Sequence, residues 1–301
     1  MSNEVSKESK PYRHYTTEEC FIPPTKLIRG FTQKNFKANL HLQEFYEINI
    51  ITRGSANHYI GQRTIKVSVG DTFIVPPNVL HGYDGNESVD VYHILINPKF
   101  LEKNFSELRR LSAFSELFKI NPLMREKTSA NLHFRLTAEE ITTLTPMLDS
   151  LFVHSKRSEP VDMIISNAEA LIIIAELCSI YDSRAETRNS RDTEDSAFLA
   201  SMSKIYEAYA EKLTVVELAR IARMSKNAYI EKFKSITGQT PAKFLRRHRV
   251  DVAKQMLKET TLTESEIALE VGFTDTSHLV KVFLNESGAP PSAFRDNANK
   301  T

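Results

Sequence analysis

The 301-residue chain has no tryptophan, two cysteines and nine glycines. Without Trp it lacks the commonest ring for stacking on a sugar, and Tyr46, Tyr59, Tyr83 and Tyr92 are left for such a task. Cys20 and Cys178 form no metal-ligand pair and no disulfide framework, which fits a reducing cytosol. The stretch Met1 to Lys10 is polar and has no apolar signal core. No apolar run is long and uninterrupted. The most hydrophobic one, Met163 to Tyr181, is broken by Asn167, Glu169 and Glu176, so it is expected to be an amphipathic helix rather than a membrane span. Together these absences point to a cytoplasmic protein with no membrane partner.

Charge is nearly balanced at +1 but unevenly spread. From Ser201 onward there are sixteen Lys and Arg against twelve Asp and Glu; the first 200 residues hold twenty-three against twenty-six. Lys243 to Lys258 alone carries six basic residues and one acid. A basic C-terminal part on an acidic N-terminal part suits a chain in which only one half meets phosphate.

That basic part contains one pattern twice. Thr214-Val-Val-Glu217-Leu218-Ala219 is followed by Tyr229, Phe233, Gly238, Pro241 and Phe244; Thr263-Glu-Ser-Glu266-Ile267-Ala268 is followed by Leu279, Phe283, Gly288, Pro291 and Phe294. Seven positions are identical, at an offset of 49 residues that becomes 50 after the turn. Thr with Glu three residues later is a capping box, which satisfies orphan amides where a helix begins. Ser225 and Asp275 then open a second helix, and Gly238 and Gly288 close it. Two helices joined by a tight turn are the unit that places a recognition helix in the DNA major groove.

Upstream, alternation over His41–Ile51, Ser55–Ile60, Thr64–Val69, Thr72–Val75 and Val89–Ile96 predicts short strands. Turn signals at Gly54, Gly61-Gln62, Gly70-Asp71 and Pro76-Pro77-Asn78 separate them, which suggests a small antiparallel barrel or jelly roll. Helices are expected at Leu101–Ile120, Ala138–Ser155 and Asp162–Tyr181. The polar, charged segment Ser183–Ser196 cannot bury a core and reads as a linker. The expected organisation is an α+β chain of two domains: a barrel with flanking helices over 1–182, a linker over 183–197, and an all-α domain over 198–301.

The C-terminal residues, with the connecting Arg249-Val250, Ala253 and Leu257 and the phrase Ile267-Ala-Leu-Glu-Val-Gly-Phe273, resemble the DNA-binding domain of the AraC/XylS family of bacterial transcription regulators. The resemblance covers about a third of the chain and implies two helix-turn-helix subdomains joined by one long helix, here Pro241 to Leu257. Tyr229 and Phe233 are expected in the core of the first recognition helix, leaving Lys226, Asn227, Ile230 and Glu231 outward beyond the Ser225 cap. By family match Asn227, Ile230 and Glu231 are base-facing; Glu231 departs from the Arg common there. In the second helix Leu279 and Phe283 are core, with Thr276, Ser277, Val280 and Lys281 outward. Arg246 and Arg247 are expected phosphate contacts or solvated charges.

The N-terminal half carries His41-Leu-Gln43-Glu44-Phe-Tyr-Glu47 and, later, Gly70-Asp-Thr-Phe-Ile-Val-Pro76-Pro-Asn78-Val-Leu-His81. These resemble the two short motifs of the cupin barrel, which the AraC family commonly carries as its effector sensor. Metal-dependent cupins place their ligands at positions that match His41, Gln43, Glu47 and His81; Gln43 is a poor replacement for an imidazole. Odd-numbered residues from 41 to 49 share one face of a strand and could all look inward. Three readings stay open: a metal site, a polar pocket for a small organic effector such as a sugar or related metabolite, and scaffold histidines satisfied by backbone. The pocket is taken as the working expectation, with no cofactor and no resident metal. Ile165, Ala168, Leu171, Ile172 and Ala175, broadened by Ile173 and Ile174, form an apolar stripe, one side covering the barrel and the other a homodimer seam.

The expected function is a sequence-specific regulator of transcription, an activator, with promoter DNA, an effector and RNA polymerase as partners. The alternatives are a cupin metalloenzyme with an appended nucleic-acid-binding domain, and an effector-independent DNA-binding protein.

Overall fold

The structure is a computed structural model that describes residues 12–61, 63–84, 89–127, 134–184 and 194–298. The chain divides into two compact units, one formed by residues up to Leu101 with 134–174, the other by 102–127 with Ala175 onward.

The first unit is a double layer of short strands. They are β1 (Arg13–Tyr15), β2 (Ile28–Gln33), β3 (Ala38–Gln43), β4 (Tyr46–Arg53), β5 (Ser55–Ile60), β6 (Arg63–Ser68), β7 (Asp71–Val75), β8 (His81–Asp84), β9 (Asp90–Ile96) and β10 (Phe134–Arg135). One sheet has the order β1-β3-β8-β5-β6 and the other β10-β7-β4-β9-β2. The turn residues act as expected: Gly54, Gly61, Gly70 and Asn78 all have positive φ. At Gly70 the need is also steric, because a Cβ there would meet Leu136 O at 2.2 Å. The expected single strand His41–Ile51 is in fact two. The chain leaves β3 at Gln43, crosses through Glu44-Phe45 and enters β4 in the opposite sheet. The Glu44 backbone N–H donates to Tyr15 O at this crossing, not to a ladder partner on β4. Gln43, Phe45, Glu47 and Asn49 are all buried, and along β4 so are Ile48, Ile50 and Ile51, so burial there does not alternate.

Helix α1 (Thr17–Cys20) lies between β1 and β2 and begins with a Thr16/Glu19 capping box. The expected helix Leu101–Ile120 is broken into α2 (Pro98–Lys103), α3 (Phe105–Leu108), α4 (Ser112–Ser115), a π-helical stretch Glu116–Ile120 and α5 (Asn121–Lys127). Helix α6 (Ala138–Lys156) starts from a Thr137/Glu140 capping box and covers β2. There Leu151 and Ser155 approach Gly30, with the Ser155 hydroxyl accepting from its N–H at 2.8 Å, and Lys26 Nζ donates to Ser155 O at 2.6 Å. Helix α7 (Pro160–Ser183) pairs with α6 through Glu169, which accepts from Ser150 Oγ and meets His154 Nδ1 at 3.1 Å. By length and mean hydropathy (1.8) α7 could cross a bilayer, yet its face Ala170, Ile173, Ile174, Leu177, Cys178 and Tyr181 is buried within protein.

The second unit holds α8 (Glu194–Glu207), α9 (Val215–Ile221), α10 (Lys226–Thr237), α11 (Pro241–Glu259), α12 (Glu264–Glu270), α13 (Thr276–Ser287) and α14 (Pro291–Ala298). Both capping boxes are formed, Thr214 with Glu217 and Thr263 with Glu266. Ser225 and Asp275 cap α10 and α13, which end at left-handed Gly238 and Gly288. Pro241 sits at the start of α11, two residues longer at its C-terminus than the sequence suggested.

Two clusters fill this unit. Phe198, Leu218, Tyr229 and Phe233 form one, and Val250, Ala253, Ile267, Leu279 and Phe283 the other. The division expected at residues 183–197 differs from this arrangement. Residues 102–127 belong here because Ile120 and Met124 are buried with Phe198 and Phe233, while Phe105 joins the second cluster. Of the expected linker, Ser183 ends α7 and Glu194–Ser196 begin α8; residues 185–193 lie outside the described residues. So do Met1–Lys10 and Gln62.

Phe233 and Phe283 are each fully buried, so Phe233→Ala or Phe283→Ala should each cost about 3–5 kcal/mol in urea unfolding. Lys234→Gln, on the exposed side of the same helix, should stay within about 0.5 kcal/mol of the wild type.

Candidate functional site

A cavity of about 500 Å³ opens in the barrel between the two sheets. That volume suits a small ligand. Its floor is a buried carboxylate. Glu47 Oε2 faces His81 Nε2 at 3.2 Å, and Oε1 accepts from His93 Nδ1 at 2.7 Å. Strand register places these groups: β4 lies between β7 and β9, and His81 opens β8 in the facing sheet. Burial alone would raise the Glu47 pKa; the two imidazoles overcome it and hold the carboxyl well below the ordinary carboxylate value.

Backbone carbonyls fix two of the rings. His81 Nδ1 donates to Val79 O at 2.9 Å, and His41 Nδ1 to Asn39 O at 2.8 Å. With Nδ1 so committed, His81 Nε2 carries a proton toward Glu47 only in the imidazolium form. The His41 ring lies tilted against that of His81, centroids 4.2 Å apart, and burial lowers its pKa, with the His81 charge adding to the effect. The His93 ring lies against Phe31 and Phe36, centroids 4.8 and 4.6 Å away, and its buried Nε2 has no hydrogen-bond partner among the described residues. The buried Asn49 amide is likewise unpaired among them.

All four sequence candidates come together here. His41, Gln43 and Glu47 line the cavity and His81 supports Glu47. His93 is the floor residue that was missed; an imidazole inside the apolar run of β9, paired in register with Asn49, was the available signal. Arg13, Tyr15, Arg29 and Phe31 also line the cavity, from strands the sequence did not reveal.

His41, Glu47 and His81 each present one donor atom, all within 4.8 Å of one another. Imidazoles that give Nδ1 to a carbonyl offer Nε2 outward, a donor set that suits a divalent transition ion. Gln43 stands where a fourth donor would be, and its Nε2 donates to Phe45 O at 3.2 Å.

In the helical unit, Tyr229, Phe233, Leu279 and Phe283 are buried, as the sequence pattern required. Ser225, Lys226, Asn227 and Glu231 are exposed and Ile230 is half-buried; Ser277 and Lys281 are exposed, with Thr276 and Val280 half-buried. Arg246 and Arg247 are exposed on α11. Their neighbour Arg249 faces the other way. It donates to Tyr209 O at 2.7 Å and Glu211 O at 2.9 Å, just before α9, and to Gly272 O at 2.6 Å in the turn after α12. One guanidinium thus ties both helix-turn-helix subdomains to their shared helix. Behind it His248 is held neutral, its pKa pushed down to about 3 by burial and then by Lys119, Arg109 and Arg249.

A barrel with a polar-floored cavity and a duplicated helix-turn-helix define a ligand-sensing DNA-binding protein. Residues 25–202 match the AraC-like ligand binding domain, and residues 218–297 match a helix-turn-helix domain. The first match spans more than half of the chain, which belongs to the AraC family of transcription regulators. The family is one of regulators and not of enzymes, so the metalloenzyme alternative is set aside. The HTH-type transcriptional activator RhaR of Enterobacter sp. (strain 638) is 23% identical over 86% of this chain and 88% of its own. RhaR of Mannheimia succiniciproducens is 23% identical over 94% and 95%. Among solved structures, the DNA-binding domain of AdpA in complex with a target DNA is 26% identical and covers 35% of this chain and 94% of its own, at a TM-score of 0.33. ToxT from Vibrio cholerae is 13% identical and covers 90% of this chain and 98% of its own, at a TM-score of 0.34.

A carboxylate whose folded pKa is depressed contributes stability above its unfolded pKa and loses it as pH falls below that value. The melting temperature should therefore drop as pH falls from about 5 toward 3, more steeply in the wild type than in Glu47→Gln. Calorimetry across that range checks this; parallel curves would mean that Glu47 is not held as described.

Proposed function

We propose that this chain is a cytoplasmic, effector-controlled transcription activator that reads promoter DNA with two recognition helices and works as a homodimer in contact with RNA polymerase. The observation that carries the reading is the coexistence in one chain of a cavity floored by a buried, paired carboxylate and two capped recognition helices with exposed polar faces. The activator assignment rests on relatives named as transcriptional activators.

The effector is a small polar metabolite, a sugar or a relative of one. His41, Gln43, Glu47 and His93 offer donors and acceptors to hydroxyl groups, and Tyr15, Phe31 and Phe36 supply apolar faces. A second reading of the floor is supported by the three-donor set: a divalent cation on His41, Glu47 and His81 would anchor effector oxygens as a Lewis acid. Metal analysis of purified protein against its exchange buffer separates the two. The dimer seam is the outer face of α7, where Val161, Ile164 and Ile172 are more than half exposed beside Ala168 and Ala175. Ile164→Glu with Ile172→Glu should leave a folded monomer in sedimentation at micromolar concentration; a persisting dimer would remove this face from the assembly.

On DNA, Asn227, Ile230 and Glu231 of α10 and Thr276, Ser277, Val280 and Lys281 of α13 face the bases, while Lys226, Arg246 and Arg247 meet phosphate. Helix α11, 19 residues at about 1.5 Å each, is a rod of about 28 Å. With the width of the subdomains it spans successive major grooves about 34 Å apart. Titrations of full-length protein on its promoter and on scrambled DNA, at several salt concentrations and with a panel of sugars and metabolites, test the reading. An effector in the panel should change promoter affinity and leave scrambled DNA unaffected. Asn227→Ala and Glu231→Ala should relax base preference by about 1–3 kcal/mol with little change in salt slope. Arg246→Ala or Arg247→Ala should weaken both DNAs and lower the slope by about one. Equal losses on both DNAs for Glu231→Ala would remove that side chain from base reading.

A further inference from the structure

The cavity's floor and its mouth have opposite chemistry. Below, Glu47 is the only acid lining the cavity among the described residues, and it is already held by His81 and His93. Above, the lining includes three cations, Arg13 on β1, Arg29 on β2 and Lys37 beside β3. Strands β1 and β2 are the edge strands of the two facing sheets, so Arg13 and Arg29 flank the open side of the barrel. The two guanidinium groups share one neighbourhood, since both act electrostatically on Cys20.

Both arginines are exposed, and each is held by its neighbours. The Arg13 guanidinium lies 4.5 Å over the Tyr15 ring, and Tyr15 itself lines the cavity. Arg29 lies 5.6 Å over Phe31, another lining ring, and its Nη1 donates to Cys20 O at 3.3 Å. Among the described residues none of Arg13, Arg29 and Lys37 is ion-paired. Two acids lie nearby, Glu19, which accepts from the Thr16 N–H, and Glu44, which accepts from the Thr17 N–H, and among the described residues neither forms an ion pair with these arginines. A cavity mouth with stacked, positioned guanidinium groups and no carboxylate partner has unmet demand for an anion. Guanidinium meets carboxylate or phosphate oxygens with paired donors, and the interaction is strong where water is partly excluded.

We infer that the effector is an anionic polyol: a small molecule whose hydroxyl end meets the His41, Glu47 and His93 floor and whose carboxylate or phosphate is held at the mouth by Arg13 and Arg29. The inference rests on the effector-pocket reading above and adds the charge of the ligand. A neutral sugar would satisfy the floor and leave the mouth unpaired. The aromatic walls between the two ends, Tyr15, Phe31 and Phe36, fit the carbon skeleton that separates them.

The test is calorimetric titration of the full chain with matched probes: D-galactose, D-galacturonate and D-galactose 6-phosphate, and the corresponding glucose and mannose sets of sugar, uronate and 6-phosphate. At least one acidic member should bind about tenfold or more tightly than its neutral partner. Its affinity should fall as salt is raised, because the groups at the mouth are reached by solvent ions. Arg13→Gln or Arg29→Gln should erase that advantage in protein that still unfolds cooperatively. Preference for the acid over the phosphate, or the reverse, names the anion. Equal or tighter binding of the neutral partners would overturn the inference, as would acid affinity that survives both arginine changes. If neutral sugars bind and Glu47→Gln abolishes that binding, the pocket stands and only the charge is wrong. If no probe of any kind binds, the inference and the pocket reading fall together.

Discussion

The helical half depends on where the Arg249 guanidinium sends its protons. The half-buried group carries five N–H donors, and three of them reach Tyr209 O and Glu211 O on one side and Gly272 O on the other. Those carbonyls precede the first helix-turn-helix and lie in the turn of the second, so each subdomain is registered to α11 and through it to the other. Gly272 is needed for the same reason: with φ +84 and a phantom Cβ only 2.4 Å from Ala210 O, nothing larger lets that turn come so close. Two capped recognition helices on one rod are useful only if their spacing is fixed, and the guanidinium is what fixes it.

In the barrel the corresponding constraint is a charge. A carboxylate out of water must be paired or neutralised. Glu47 meets that condition with two imidazoles from two different strands, one of them further tied to Val79 O. The same contacts position the polar atoms that face the cavity. A ligand entering there meets groups already oriented, and His93, whose Nε2 has no hydrogen-bond partner among the described residues, lines the same cavity.

What the sequence revealed follows from how local each signal is. Thr214 with Glu217, Thr263 with Glu266, and Gly238 and Gly288 act within one helical turn, and all of them do what their spacing implied. Tyr229, Phe233, Leu279 and Phe283 are buried because helical periodicity needs no knowledge of partners. The floor was partly legible: His41, Gln43, Glu47 and His81 sit in recognisable motifs, whereas His93 gains its role only when β9 pairs with β4. Arg13 and Arg29 lie on strands of three and six residues without clear alternation, and their meeting at one mouth is a product of sheet order. Residues 102–127 carry an apolar face that suits either core, and the choice made by Ile120 and Met124 is a tertiary one.

The central claim is that two recognition helices, held by one rod, read adjacent grooves of the same duplex. Hydroxyl-radical footprinting of the full chain on its promoter measures that directly. The account requires, for each protomer, two protected windows on one face of the duplex, centred about one helical turn or 34 Å apart. A single window per protomer, or two on opposite faces, would contradict it.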